Sequence, residues 1–202
     1  EYVEKLVSLL PNGVYLGAAV ISVRRVLDRV EVLLQGGQSH EFDHVVFACH
    51  SDQVLKQLVD ASPAEKTALQ GIRYEESRVV LHTDRRLMPL RPAAWGSWNY
   101  VTEACGESSG NLCVTYHINR LQKLESPQDF FVTINPRTEI NPDLVISEFR
   151  MAHPQYTQES VKAQVVLTGL NGKGRVHFAG AYLGHGFHED GFLSGRNVAN
   201  SL

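Results

Sequence analysis

The sequence has little of several residue types, and each scarcity excludes a class of protein. It contains three cysteines, Cys49, Cys105 and Cys113, an odd set without metal-ligand spacing. This argues against a disulfide scaffold and favours a reducing, cytoplasmic location. No apolar run is long enough to cross a bilayer, so no transmembrane segment is expected. The formal net charge is only -3, which gives no reason to expect nucleic acid as a partner.

The chain also lacks the dinucleotide-binding motif G-x-G-x-x-G. Gly184-x-Gly186 follows a predicted strand, but the sixth position of the motif is Glu189, close to the C-terminus. Too few residues follow for a βαβ unit, so a pyrophosphate cradle is not expected here. The composition is otherwise that of a globular protein, with 43% hydrophobic and 20% charged residues.

The first third of the chain predicts a hairpin, then a buried strand, then helices. Apolar spacing and turn residues predict the following elements: a short amphipathic helix over 2–10, a strand region over 14–23, its hairpin partner over 29–34 and a buried strand over 42–49. A helix begins near Ser51, with Ser51 or Asp52 as N-cap. The next helix has Ser62 as N-cap, Pro63 at its first position, Glu65 at N3 and Gly71 at its end.

The middle of the chain predicts a mainly antiparallel sheet. Its strand patterns are separated by turn residues and lie at 74–82, 94–101, 112–119, 130–134 and 145–151. A helix over about 158–170 and a strand over 175–179 follow. We therefore expect an α+β fold in which residues 1–71 and 159–202 form one body and residues 72–158 are inserted as a second.

Glycine is concentrated near the C-terminus, in the stretch FAGAYLGHGFHEDGFLSG at 178–195. Glycine accumulates where the backbone needs positive φ or where another group comes very close. A strand, a glycine-rich turn and a helix N-terminus together offer unpaired N–H groups, which favours a binding site. Gly191, Gly195 and Ala199 recur every four residues, so they leave one face of the predicted helix nearly bare.

Other interpretations of the same residues remain open at this point. The cluster His185, His188, Glu189 and Asp190 contains good metal ligands, but its spacing matches no zinc motif and its glycines indicate a turn. A purely structural helix cap is a further interpretation. The aromatic residues between Trp95 and Tyr100 fit either core packing or a substrate cage. Cys49 is interpreted as a core residue rather than a nucleophile.

Several motifs resemble one known family. They are DHVVFA at 43–48, LHTDRRLMP at 81–89, WGSWNY at 95–100, NRLQ at 119–122, VTINP at 132–136 and the pattern FAG…GxGxHEDGxxSGxxxA at the end. The sequence is similar to the flavin-containing amine oxidase superfamily, especially a bacterial branch of predicted FAD/NAD-binding oxidoreductases. The resemblance covers nearly the whole chain and implies part of an FAD-binding domain with an inserted substrate domain.

The resemblance implies that this chain is the C-terminal part of a longer FAD-dependent oxidoreductase. That enzyme would transfer a hydride from a C–N or C–C bond of a small apolar or amine substrate to the flavin. The residues expected to contact FAD are Val20, Ala48, Gly180, Ala181, Tyr182, Gly186, Phe187, His188, Glu189, Asp190, Gly191 and Ser194. Those expected to contact substrate are Trp95, Trp98, Tyr100, Tyr116 and Asn119. No acid or base and no metal ligand is assigned.

Two details qualify this expectation. Most relatives have an acidic residue after Ala-Gly, where this chain has Ala181, so that cofactor hydrogen bond is not carried over. Glu189 and Asp190 would repel a phosphate, so a flavin ring edge fits the helix start better. We expect the turn to approach the flavin so closely that Gly186 and Gly191 cannot carry a β-carbon. The alternative is a binding or structural domain that holds no flavin of its own.

Overall fold

The chain folds into two compact units. A computed structural model describes residues 2–101 and 113–202; Cys105 and the first residue of the strand predicted at 112–119 lie outside this description. Unit 1 comprises Glu1–Arg73 and Pro154–Leu202, and unit 2 comprises Tyr74–His153. The assignment of cofactor binding to one body and substrate binding to the other stays a prediction.

Unit 1 begins with a short helix and an antiparallel meander. Helix α1 spans Tyr2–Val7, and the strands are β1 (Val20–Val26), β2 (Arg29–Leu34) and β3 (Ser39–Phe42), paired in the order β1-β2-β3. The strand predicted at 14–23 therefore begins only at Val20. Val23 lies opposite Val32 and both side chains are buried, so alternate residues of the meander contribute to the core.

A parallel strand pair connects the two chain segments of unit 1. Strand β4 (Val45–Phe47) pairs with β10 (Val176–Phe178), and Phe47 stacks on Phe178 with ring centroids 6.5 Å apart. The Ala179 N–H donates to the Phe47 carbonyl at 2.8 Å. The carboxyl ends of both strands therefore lie at the same sheet edge, which is where open α/β sheets place ligands.

Four helices complete unit 1. They are α2 (Ser51–Gln57), α3 (Pro63–Gln70), α5 (Gln158–Leu170) and α6 (His188–Ala199). The predicted caps of α3 are confirmed: Ser62 Oγ accepts from the Glu65 N–H at 3.3 Å, and the Glu65 carboxylate accepts from the Ser62 N–H at 2.7 Å. The N-cap predicted for α2 is wrong by one residue, because His50 holds that position.

Unit 2 is built on a five-stranded sheet. Its strands are β5 (Tyr74–His82), β6 (Trp98–Val101), β7 (Cys113–His117), β8 (Phe131–Ile134) and β9 (Val145–Pro154), in the order β6-β7-β8-β5-β9. Helix α4 spans Ile118–Gln122. The pairs β6–β7, β7–β8 and β5–β8 are antiparallel, which confirms the predicted sheet type and the α+β class.

One strand of this sheet is shorter than predicted. The pattern at 94–101 yields a strand only from Trp98, because Pro92–Ala94 form a 3₁₀ turn. Asn99 then closes the following turn: its Oδ1 accepts from the Gly96 N–H at 2.9 Å and its Nδ2 donates to the Gly96 carbonyl at 2.8 Å. Within the described ranges, no helix of either unit is long and apolar enough to span a bilayer.

Candidate functional site

The glycine-rich turn between β10 and α6 is tied together by a serine. The Gly180 N–H donates to Ser194 Oγ at 2.8 Å, and the Ser194 hydroxyl donates to the Gly191 carbonyl at 2.7 Å. These bonds join the end of β10 to the second turn of α6. Ser194, predicted to contact the cofactor, therefore positions the turn through bonds inside the chain.

A glutamine that the sequence analysis missed supports the same turn. Gln164 of α5 donates through Nε2 to the carbonyls of Tyr182 at 2.9 Å and Gly184 at 2.7 Å. The Ala181 carbonyl accepts from the Gly184 and Gly186 N–H groups, both at 3.1 Å. No local sequence signal distinguishes Gln164, since its partners lie some 20 residues away along the chain.

Three glycines of the turn are explained by contacts within unit 1. A β-carbon on Gly180 would lie 2.6 Å from the Tyr182 ring, and one on Gly184 would clash with the Asp190 carboxylate. Gly186 has φ +90°, and a β-carbon there would lie 2.5 Å from the Tyr156 hydroxyl. The backbone conformation and Tyr156 already favour glycine at position 186, so close approach of a flavin is not needed to explain Gly186 and stays a prediction.

The two glycines inside α6 have no such explanation. A β-carbon on Gly191 would make ordinary contact with Ala181, at 3.7 Å from its nitrogen. No described atom, outside the helix's own nearby backbone, lies within 4 Å of a β-carbon placed on Gly195. Glycine within a helix costs roughly 1 kcal/mol relative to alanine. Gly195 therefore bears a cost that no described contact of the folded chain offsets.

The start of α6 is capped by its own acidic residue. Asp190 Oδ2 accepts from the Phe187 N–H at 2.9 Å, and His185 Nδ1 lies 3.9 Å from Asp190 Oδ1. Phe187, His188 and Glu189 are exposed. The N–H groups of the first turn have no partners inside the helix, as at any helix start. The helix therefore presents donors to its surroundings while Asp190 fixes the turn.

The remaining predicted cofactor residues also lie in unit 1. Ala48 is exposed directly after β4, beside the Gly180 end of β10, and Tyr182 is buried. Val20 begins β1 and its carbonyl accepts from Gln57 Nε2 at 3.2 Å. Among residues 2–101 and 113–202, no three His, Cys, Asp or Glu side chains form a group that could hold a metal ion.

One face of the sheet in unit 2 is aromatic and accessible. Trp98 and Tyr100 alternate on β6 and are 63% and 61% exposed. Tyr116 of β7 lies opposite Trp98, with ring centroids 6.4 Å apart and the planes at 71°. Core packing within the described chain therefore does not account for Trp98 and Tyr100. We call Trp98, Tyr100 and Tyr116 the aromatic face.

The opposite face of the sheet carries a buried polar chain. Asn99 Nδ2 donates to the Thr115 carbonyl at 3.2 Å, and the Thr115 and Thr133 hydroxyls bond at 2.9 Å. His82 Nε2 lies 2.8 Å from Thr133 Oγ1, and His82 Nδ1 accepts from the Asp84 N–H at 3.1 Å. Burial lowers the pKa of His82. The imidazole is therefore neutral, with its proton on Nε2.

Two residues predicted to bind substrate are engaged elsewhere in unit 2. Trp95 packs edge-on against His117 and Phe131, its Nε1 donates to the Pro89 carbonyl at 2.8 Å, and the Arg85 guanidinium lies over its ring. These neighbours belong to the buried face, so Trp95 and Trp98 lie on opposite sides of the sheet. Asn119 accepts from the Phe130 N–H at 2.7 Å and holds a loop. Both residues thus have structural contacts inside unit 2, and their contact with a substrate stays a prediction.

Two other titratable groups, Asp84 and Cys49, have shifted pKa values that the fold itself explains. The Arg86 guanidinium holds the pKa of Asp84 well below its usual range, and the carboxylate also accepts from the Asn141 N–H at 3.0 Å. Burial raises the pKa of the Cys49 thiol, which disfavours the thiolate and supports the core interpretation. The glycine-rich turn and the aromatic face therefore offer binding surfaces rather than an acid–base pair.

Comparison with known proteins decides the family. The model of the family described as flavin-containing amine oxidoreductase matches residues 1–112. The chain belongs to this family. Membership in the flavin-containing amine oxidoreductases implies FAD as the cofactor of the full-length protein. The glycine-rich turn and α6 lie beyond the matched residues.

Solved structures share the fold at low identity. A CLA-producing fatty acid isomerase from P. acnes is 16% identical with a TM-score of 0.65, and the alignment covers 98% of this chain and 49% of that one. A putrescine oxidase variant is 12% identical with a TM-score of 0.63, and the coverage is 98% and 51%. The chain thus spans about half the length of these structures. Among curated proteins, none matches the sequence significantly.

Proposed function

We propose that this chain is part of an FAD-dependent oxidoreductase that takes a hydride from a C–N or C–C bond of a small apolar or amine substrate. The family supports the cofactor, and the sequence supports a cytoplasmic location. Bound flavin supplies the redox chemistry, since it accepts two electrons and a proton as a hydride. The chain's own residues supply binding, orientation and the exclusion of water.

The observation that carries the proposal is an open glycine, Gly195, one turn after Gly191 on the helix that follows the glycine-rich turn; Gly169 is equally open, but its helix α5 does not follow that turn. A helical glycine with no described neighbour is accounted for if a flat ligand lies against that side of α6. The side chain of Glu189 at the helix start disfavours a phosphate there. A flavin ring edge is neutral until reduction, so the first-turn N–H groups can donate to it at no electrostatic cost. The residues therefore fit the ring end of FAD.

Each part of the turn then has a task. Asp190 and Ser194 hold the turn, and Gly191 and Gly195 leave space along α6. Ala48 and Gly180 follow the two paired strands at a single sheet edge, where the cofactor backbone would pass. The chain has no G-x-G-x-x-G cradle for the pyrophosphate, so we expect the 202-residue chain to bind FAD weakly or not at all.

The aromatic face is the proposed substrate surface. Trp98, Tyr100 and Tyr116 offer exposed rings that can pack on an apolar body and displace water from it. No acid or base is assigned to these residues. We expect Trp98→Ala to leave flavin content of the full-length protein unchanged and to lower its turnover.

The proposal is tested at Gly195, with Gly169 as matched control. Both are helical glycines whose β-carbon would meet no described atom within 4 Å beyond the helix's own nearby backbone, one in α6 and one in α5. Alanine and leucine at either position should stabilise the flavin-free chain by about 0.5–1 kcal/mol, because both form helices better than glycine. In the full-length protein, only the Gly195 series should lose visible flavin absorbance, and leucine should lose more than alanine.

Three results would each contradict part of the proposal. A full-length protein that is colourless after purification and after incubation with FAD would favour the alternative of a domain without flavin. Full flavin content in Gly195→Leu would show that α6 does not contact the cofactor, whatever the full-length protein binds. Submicromolar FAD affinity of the isolated chain would show that the missing pyrophosphate motif is not essential.

A further inference from the structure

A pocket in unit 2 combines positive charge with an apolar wall. It has a volume of about 310 Å³, and its charged lining residues are Arg86 and Arg137. Its apolar lining includes Leu87, Met88 and Cys113, and none of the described residues that line it is acidic. Such a lining suits an organic anion, because arginine recognises the charged group and apolar side chains cover the rest of the molecule.

The buried polar chain of unit 2 has one hydrogen more than it has contacts. The Asp84 N–H donates to His82 Nδ1, so the neutral imidazole carries its proton on Nε2. Hydrogens on His82 Nε2 and on the hydroxyls of Thr133 and Thr115 are then available to two contacts, His82–Thr133 at 2.8 Å and Thr133–Thr115 at 2.9 Å. One hydroxyl hydrogen is therefore left without an acceptor among the described residues.

The Thr115 hydroxyl is the better place for that hydrogen. Thr115 and Thr133 are only 1% and 0% exposed, and a buried donor without an acceptor costs free energy. Thr115 lines the pocket, whereas Thr133 does not. When Thr133 donates to Thr115, the remaining hydrogen belongs to Thr115, which can donate to a group inside the pocket. The polar chain thus ends in a buried donor at the pocket wall.

Arg86 adds further donors. Asp84 accepts from Arg86 Nε at 3.0 Å and from Nη2 at 2.5 Å, which fixes the guanidinium. Within residues 2–101 and 113–202, no hydrogen bond of Nη1 is found. Guanidinium groups donate hydrogen bonds and accept none. A ligand group that matches these donors and the Thr115 hydroxyl therefore accepts several hydrogen bonds and carries negative charge.

We propose that this pocket binds a small organic carboxylate. Its carboxylate oxygens accept hydrogen bonds from Thr115 and from the two arginines, and its apolar part lies on Leu87 and Met88. All of the lining residues belong to unit 2, and Thr115 belongs to the face of the sheet opposite the aromatic face. The site needs no flavin, so it stands or falls independently of the proposed function.

A titration followed by nuclear magnetic resonance tests the proposal. Sodium hexanoate, which joins a carboxylate to a short apolar chain, is added to the ¹⁵N-labelled, flavin-free 202-residue chain. Amide shifts should saturate and centre on residues 86–90, 115 and 137. Hexanol should bind at least about tenfold more weakly, because it lacks the charge-assisted hydrogen bonds. Sodium phosphate should also bind at least about tenfold more weakly, because it has no apolar part.

Variants of two lining residues test the donors. Thr115→Val keeps the shape of the side chain but loses the hydroxyl, so it should raise the hexanoate dissociation constant about tenfold, whereas Thr115→Ser should bind nearly as the parent does. Arg137→Gln should raise it about three- to tenfold. The matched control is Arg150→Gln, since the Arg150 side chain is 82% exposed in the same unit and does not line the pocket; it should leave binding unchanged.

Several outcomes would overturn the carboxylate site. They are amide shifts that do not saturate or that spread over the whole surface, equal affinity for hexanoate and hexanol or phosphate, and equal effects of Arg137→Gln and Arg150→Gln. Equal affinity of Thr115→Val and Thr115→Ser would overturn the part assigned to the hydroxyl. Because the titration contains no FAD, failure of the proposed function would leave all of these results unchanged.

Discussion

The glycine-rich turn of unit 1 and the aromatic face of unit 2 make opposite use of their characteristic residues. In the turn, Ser194 bonds Gly180, Asp190 bonds the Phe187 N–H, and Tyr156 fills the space beside Gly186. On the aromatic face, Trp98 and Tyr100 are more than half exposed. The residues of the glycine-rich turn are thus explained largely by contacts within unit 1, whereas no described contact explains the exposed rings of Trp98 and Tyr100.

Only some residues of the two regions indicate a ligand. A residue whose type is required by neighbours in the fold gives no information about what binds outside it. Gly195 in unit 1 and Trp98 in unit 2 are informative because the described chain gives no reason for a bare backbone at one position and an exposed indole at the other. Mutations can therefore separate structural members of each region from candidate ligand contacts.

The largest expected effect separates the two tryptophans of unit 2. Trp95→Ala should lower the free energy of unfolding by about 3 kcal/mol, because it removes the ring that packs on His117 and Phe131. Trp98→Ala should lower it by less than about 1 kcal/mol, since the side chain is mostly exposed. Urea denaturation of the chain, followed by circular dichroism, measures both.

Trp95→Phe serves as the control, because it keeps a ring against the same neighbours and should recover part of the loss. Equal destabilisation by Trp95→Ala and Trp98→Ala would contradict the assignment of the two residues to opposite faces. It would also remove the reason for treating Trp98 as a substrate contact.

A somewhat smaller effect is expected within the glycine-rich turn. Gly186→Ala should destabilise the flavin-free chain by about 1–3 kcal/mol, because alanine is strained at φ +90° and its methyl group would meet the Tyr156 hydroxyl. Gly195→Ala should have the opposite sign. Thermal unfolding of both variants without FAD measures the two changes in stability.

Tyr156→Phe separates the two causes at Gly186. Removing the hydroxyl should relieve the contact but leave the backbone strain, so Gly186→Ala should cost less in the Tyr156→Phe background than alone. If Gly186→Ala were neutral in the flavin-free chain, the turn would not be held as described, and an external ligand would again be needed to explain the glycine.

Local signals explain what the sequence could predict. Strand β5 has the predicted bounds of residues 74–82, because its apolar pattern is bounded by turn residues. Helix α3 begins and ends as predicted, since Ser62, Pro63, Glu65 and Gly71 each act within one turn of the chain. Signals of this kind need no knowledge of distant segments.

One irregular turn and two long-range contacts explain what the sequence could not predict. Whether Trp95 and Trp98 share a face depends on where the strand begins, and the Asn99 side chain and the 3₁₀ turn decide that locally. The support of Gly184 by Gln164 joins residues 20 positions apart. Tyr156, which lies beside Gly186, precedes helix α5 in the sequence, whereas Gly186 follows it. Such pairs have no periodicity, so only the fold identifies them.

The smallest expected effect is a pH dependence with the same sign in both units. His82 in unit 2 and His177 in unit 1 are buried, and burial lowers the pKa of each; His44, which lies 3.1 Å from His177, lowers that pKa further. Below the ordinary histidine pKa, the unfolded chain therefore binds more protons than the folded chain. Stability should fall as pH decreases from about 6.5, by at most about 1.4 kcal/mol per pH unit for each histidine.

Equilibrium unfolding at a series of pH values, from neutral to about pH 5, checks this dependence. His82→Gln cannot titrate, so it should reduce the slope of stability against pH even though it also lowers stability at neutral pH. His177→Gln should also reduce the slope, and the double variant should reduce it further than either single variant. The Nδ1 of each histidine accepts a backbone N–H, from Asp84 and Gly172 respectively, so protonation replaces an acceptor by a donor in both places. A slope that neither variant changes would show that these imidazoles keep ordinary pKa values and that their burial does not hold them neutral.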